Sequence, residues 1–212
     1  VCINAGHGTK GGESVKTLCH PDGSAKVTGG STAQGAIRAT SINGGTTLND
    51  GTPEAKATLN LAMIVKQKLL KAGYNVLMVR EGEDAQIDNI GRTVYANNCA
   101  DYHIALHYDS TSSNKGAFYI GVPDNQSYKN MYAVSKNWKK HNKLGKNLVL
   151  GMKNAGVKIH GNGVMGIDLT QTSYSTIPSV DLEVGDKSSN HSNKTLETIA
   201  VGIVKGMNKV NK

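Results

Sequence analysis

Tyr102-His103-Ile104-Ala105-Leu106-His107 is an apolar run broken only by two histidines. A strand with so few polar side chains belongs in the middle of a sheet covered on both faces. Working outward, Val1–Ala5 reads as a second short buried strand that breaks at Gly6-His7-Gly8. Tyr74–Val79, Gly116–Val122 and Ser179–Val184 read as further strands. Helical patterns lie between them. Thr52-Pro53-Glu54 opens one, with Thr52 as expected N-cap and Pro53 at the first helical position. Leu61, Val65 and Leu69 form one apolar stripe on it and Leu59, Met63 and Leu70 another, and Ala72-Gly73 stops it. Ile87–Asn98 and Met131–Ala155 follow, the latter with Val134, Trp138, Leu148 and Met152 at helical spacing. Leu196, Ile199, Ala200, Ile203, Met207 and Val210 give a terminal amphipathic helix. Strands alternating with helices predict an α/β fold: a mainly parallel, twisted sheet of about six strands with helices on both faces. Its 212 residues fit one domain, 1–212.

The stretch from about residue 9 to 51 stands apart. It is rich in Gly, Thr and Ser with hardly an apolar cluster, and reads as a long loop insertion. Pro21-Asp22-Gly23 and Asn43-Gly44-Gly45 are turn signals, which predict one or two hairpins there rather than disorder. The three cysteines, Cys2, Cys19 and Cys99, make no C-x-x-C pair, so neither a disulfide framework nor a thiolate zinc site is indicated. Cys2 and Cys99, beside apolar segments, are expected to be buried. No run approaches the ~18 apolar residues of a membrane span. Val1 falls inside a strand, so the sequence is expected to be a domain trimmed from a longer, exported precursor. A net charge of +8 implies an anionic partner or environment.

In parallel sheets, ligands gather at the carboxyl ends of the strands. His7 lies just past one such end, His107 at another and Glu183 at a third. Glu54, in the first turn of the next helix, comes close to His7 if the intervening loop folds back. Two imidazoles and a carboxylate with an open fourth position form a hydrolytic zinc set. Other candidates have blander readings. His103 points to the same face as His107 but about 13 Å further down, and is expected to be a hydrogen-bonded core residue. His20, beside Cys19, lacks further ligands. His160 is placed in a loop before Val164, at the border of a groove. Arg80 and Arg92 are expected to hold loops of the scaffold, and Asp181 to share the face of Glu183 and accept a hydrogen bond.

Ile3-Asn4-Ala5-Gly6-His7-Gly8 resembles the opening of the zinc-dependent N-acetylmuramoyl-L-alanine amidases of the third amidase class. The resemblance continues through Glu54 with Leu59-Asn60, Val79-Arg80, Arg92 with Ala96-Asn97, and Ala100-Asp101. It closes with Ile104-Ala105-Leu106-His107 and with Pro178-Ser179-Val180-Asp181-Leu182-Glu183-Val184-Gly185, followed by Asn190. It implies that His7, Glu54 and His107 hold Zn2+ and that Glu183 is the catalytic carboxylate. It implies a peptidoglycan hydrolase, an autolysin-like secreted enzyme of the cell wall, expected to be monomeric with any wall-targeting domain carried elsewhere. The chain departs from the family at Tyr108-Asp109, where Ala-Asn is frequent, and at Asp186-Lys187, where a Phe is usual. The 9–51 segment is also longer than the family's. A zinc peptidase cutting within the stem peptide and an inactive wall-binding module are the alternatives. Nucleic-acid binding is disfavoured by the lack of a basic helix, interleaved aromatics or a recognised motif.

Overall fold

The computed structural model describes residues 1–210. In chain order its elements are β1 (Cys2–Ala5), β2 (Lys16–Leu18), β3 (Arg38–Thr40), α1 (Glu54–Lys71), β4 (Leu77–Met78), α2 (Asn89–Cys99) and β5 (His103–Asp109). Then come β6 (Ala117–Gly121), α3 (Gln126–Asn130), α4 (Tyr132–Lys153), β7 (Ile159–Gly166), α5 (Thr170–Tyr174), β8 (Ser179–Asp186) and α6 (Asn193–Val210). Six strands form one sheet in the order β4-β1-β5-β8-β6-β7. All neighbours are parallel except β6 against β8. The expected mainly parallel α/β sheet is thus present, with β5 and β8 at its centre.

Strand alternation divides the sheet into two chemically different faces. Ile3, Ala5, Ile104, Leu106, Val180, Leu182 and Val184 point to one side, where α1, α4 and α6 bury them in the main core. The helices approach closely there: a Cβ on Gly151 of α4 would run into the Gly202 carbonyl and the Gly206 amide of α6. The opposite side carries Asn4, His107, Asp181, Glu183, Phe118 and Ile120. It is partly covered by α2, α5 and the 9–51 segment, leaving a groove between them.

Several boundaries differ from the sequence reading. Helix α1 starts one residue later, with Pro53 rather than Thr52 at the cap and no side chain capping it. Asp88 caps α2, accepting from the Gly91 amide. The strand expected over Tyr74–Val79 shrinks to Leu77–Met78 at the sheet edge. β7 was not foreseen, and it takes in His160, which is therefore strand and not loop. Gly161 and Gly163, both at positive φ, break its regularity and its register with β6 shifts between Ala117 and Tyr119. Cys2 and Cys19 are buried, but Cys99 is exposed at the end of α2.

The 9–51 segment contains one small antiparallel sheet, β2 with β3. A single buried carboxylate anchors it. Asp168, fully buried, receives the His20 Nε2 at 3.0 Å, the Lys26 ammonium at 3.0 Å, the Val27 and Thr28 amides and the Thr28 hydroxyl. Burial alone would raise its pKa, but hydrogen bonds from His20, Thr28, Val27 and Lys26 hold it far below the usual carboxylate range. A depressed folded-state pKa contributes stability above the unfolded value of about 4, and that contribution is lost as pH falls through the folded value. Asp168→Asn leaves Lys26 buried without a counter-charge, so it should cost about 3 kcal/mol at pH 7. Urea unfolding at pH 7, 5 and 3 checks this: the gap from wild type should be equal at the two higher values and narrow only below about pH 4.

Candidate active site

His7 stands in the tight turn after β1, at φ 60, a left-handed conformation unusual for a residue with a Cβ. The turn is held from behind. Arg92 of α2 donates to Asn4 Oδ1 and to the carbonyls of Ala5 and His7, at 2.7, 3.0 and 2.7 Å. Arg80 donates to the carbonyls of Ala5, Gly6 and Ala55. Both arginines therefore fix scaffold, as expected, and the loop they fix is the one that aims His7. Burial lowers the pKa of the Arg92 guanidinium to about 10, with the nearby Arg80 charge adding to the effect. It remains charged at neutral pH.

Glu54 is the first residue of α1, where the helix dipole favours a negative charge. Its Oε1 accepts the Tyr108 amide at 3.0 Å and its Oε2 the Thr46 amide at 3.0 Å. His107 lies near the end of β5. The three side chains converge: His7 Nε2 to Glu54 Oε1 is 2.9 Å, His107 Nδ1 to Glu54 Oε1 is 3.1 Å, and His107 Nδ1 to His7 Nε2 is 3.1 Å. Among the described residues this is the one group of His, Cys, Asp and Glu compact enough to hold a metal ion. Gly45, at φ 78, lets the segment pass against the His7 ring; a Cβ there would sit 2.6 Å from Cδ2.

The donors fit a cation. Their separations approach the ~3.3 Å edge of a tetrahedron whose donors stand ~2.0–2.1 Å from a zinc ion. His7 Nδ1 is 2.8 Å from the Asn43 carbonyl, which can only accept, so Nδ1 carries a proton and Nε2 is the nitrogen turned toward the cluster to take a cation. Electrostatics agree. Burial would lower the His107 pKa, yet Asp181, Glu54 and Glu183 outweigh it and push it up to about 10. Burial would raise Glu54, yet His107 and His7 hold it far below the carboxylate range. The field that draws a proton to this spot would draw a divalent cation to the same spot.

Glu183 on β8 pairs in register with His107 and Phe118 and faces the groove. Its Oε2 is buried without a hydrogen-bond partner, as is Oδ1 of Asp181 one pleat below. Burial, then the Asp181 charge, raises the Glu183 pKa well above its ordinary value, His107 opposing. Asp181 is likewise raised by burial, with His107 opposing. The structure thus brings His7, Glu54, His107 and Glu183 to one place. Asp181, expected to accept a hydrogen bond, is instead a groove-lining carboxylate with an unpartnered oxygen.

The remaining candidates lie elsewhere. His103 is fully buried against Ser179 Oγ at 3.1 Å. His20 is spent on Asp168. His160 packs on Phe118, ring centroids 5.6 Å apart. The departures at Asp109 and Asp186 have structural uses. Asp109 pairs with Lys115. Asp186 accepts the amides of Ser113, Lys115 and Ser188, so the two acids pin the loop after β5 to the end of β8.

A histidine–glutamate–histidine cluster thus lies at one groove beside a half-buried glutamate. The profile of the N-acetylmuramoyl-L-alanine amidases matches residues 1–209. The chain belongs to this family. It is a peptidoglycan amidase, cutting between N-acetylmuramic acid and the L-alanine of the stem peptide. Solved amidases share the fold. The N-acetylmuramyl-L-alanine amidase Ami1 from Mycobacterium smegmatis superposes with a TM-score of 0.79 at 18% identity, covering 99% of this chain and 94% of that one. Ami1 from Mycobacterium abscessus gives 0.75 at 19%, covering 100% and 97%. An amidase from Clostridium difficile 630 gives 0.67 at 17%, covering 98% and 94%. No curated protein sequence matches the chain.

Proposed function

We propose that this amidase is zinc-dependent, with His7 Nε2, Glu54 Oε1 and His107 Nδ1 as ligands and Glu183 as the catalytic base, and that it acts on the wall outside the cell. The observation that carries this is the convergence of three donors beside a buried carboxylate oxygen that nothing else satisfies. When bound, zinc supplies Lewis acidity and lowers the pKa of its water from 15.7 to about 7. The residues supply the rest. Asn43 fixes the tautomer of His7, and the amides of Tyr108 and Thr46 orient Glu54. Glu183 takes a proton from the attacking water and gives it to the alanine nitrogen as the C–O bond forms and the C–N bond breaks. A carboxyl whose pKa is raised by burial suits both halves of that transfer.

The 9–51 segment contributes Ser31, Thr32, Thr40 and Ser41 to the lining of the groove, which Met165, Ile167 and Gln171 also line. On this reading it grips the stem peptide or the sugar beside the scissile bond. The charge of +8 suits a surface working among phosphates and carboxylates of the wall.

Metal removal tests the proposal. Dialysis against a strong chelator should abolish hydrolysis of purified wall, and about one equivalent of zinc per chain should restore it. Metal-free protein, verified by elemental analysis, that keeps full activity would refute zinc dependence.

A further inference from the structure

The sequence reading expected no basic helix, and the structure shows one. Helix α4 carries Lys136, Lys139, Lys140, Lys143, Lys146 and Lys153, all exposed, and no acidic residue in its 22 positions. Among the described residues none of the six is in an ion pair. Lys136, Lys139, Lys143 and Lys146 recur at alternating spacings of three and four. That spacing puts them in one line along the helix. From Lys136 to Lys153 the line runs about 25 Å at 1.5 Å per residue. Like charges three and four apart repel, so the pattern works against the helix that carries it. The reverse face of α4 is committed to the core through Val134, Leu144, Leu148 and Met152.

We propose that this lysine line is a docking surface for a linear wall polymer carrying a phosphodiester at each repeat. Charge complementarity and shape carry the argument: a single-file row of ammonium groups with no carboxylate partner, Lys136 donating only to the Tyr132 hydroxyl, matches a single-file row of phosphates. A lipid bilayer fits less well, because the apolar stripe of α4 is already packed on the sheet and α6, and only Tyr132 and Leu150 stand exposed on the helix beside the lysines. Nucleic acid fits less well, because Trp138 is half-buried beneath Lys129 and the one open aromatic of the helix, Tyr132, stands at its start with Lys136 over its ring, so no series of stacking platforms runs along the line. The line lies on the side of the sheet away from the groove, since α4 packs on the face bearing Leu182 while Glu183 faces the other way. A polymer held there anchors the enzyme without competing for the active site. The choice of polymer rests on the wall-hydrolase reading, but its binding is measured without catalysis, so the two can fail separately.

The test uses the whole chain and synthetic poly(glycerol phosphate) as probe. Lys139→Gln, Lys143→Gln and Lys146→Gln together should weaken binding at least ~10-fold in 150 mM salt and flatten the log–log salt slope by roughly two. A matched triple at exposed lysines elsewhere, Lys71→Gln, Lys194→Gln and Lys209→Gln, should change it less than twofold. Saturating polymer should leave turnover of a soluble muramoyl-peptide unchanged. Equal loss in both triples would overturn the proposal by reducing it to net charge. So would undetectable binding of the wild type, or tighter α4-dependent binding to phosphatidylglycerol vesicles or duplex DNA than to the polymer.

Discussion

Glu183→Gln should retain its zinc and lose at least ~10²-fold in turnover. The amide is nearly isosteric with the carboxylate, so the fold and the ligand cluster have no reason to change. What disappears is the capacity to take a proton. Glu183 Oε2 has no protein partner, so no internal hydrogen bond is broken by the exchange. Removing a charge that faces His107 across the β5–β8 register reduces the local negative potential, and zinc affinity should fall modestly as a result. Turnover of a soluble muramoyl-peptide and zinc content, measured on the same sample, separate the possibilities. A near-normal rate would remove Glu183 from the chemistry. Loss of zinc with loss of rate would make it a ligand.

His107→Ala should lose both metal and activity, with zinc affinity falling by at least ~10²-fold. An open site with three protein ligands has no spare donor. The variant also exposes what holds the cluster together. Glu54 would keep its two amide donors from Tyr108 and Thr46 and would stay in place. His7 would keep Asn43 and the arginine-braced turn. The lesion should therefore be local, with the unfolding midpoint of the metal-free variant close to that of the metal-free parent. Retained stoichiometric zinc, by elemental analysis after gel filtration, would take His107 out of the ligand set.

The sequence disclosed those parts of the fold whose residues carry their own pattern. β5 and β1 are legible because apolar residues run on without interruption, and α6 because its stripe repeats at helical period. His7, Glu54 and His107 are legible as metal-binding residue types at strand and helix ends, and the family resemblance placed Glu183 beside them. What stayed hidden depends on partners distant in the chain. Asp168 is one acid in a polar stretch, and its importance comes from Lys26, 142 residues away. β7 was masked by Gly161 and Gly163, which read as loop although the bulged strand uses them. The lysines of α4 are spaced in the sequence to share one face, but their exposure and their lack of carboxylate partners follow only from how the helix packs and what surrounds it. The two acids at Asp109 and Asp186 could be noted as departures, but their joint use as loop anchors needed the register of β5 with β8.

The most direct measurement is product analysis by mass spectrometry of purified peptidoglycan digested with the zinc-loaded protein. The account predicts intact stem peptides with a free L-alanine amino terminus, alongside glycan strands whose muramic acids carry free lactyl carboxylates. Stems shortened from within, still attached to glycan, would contradict it.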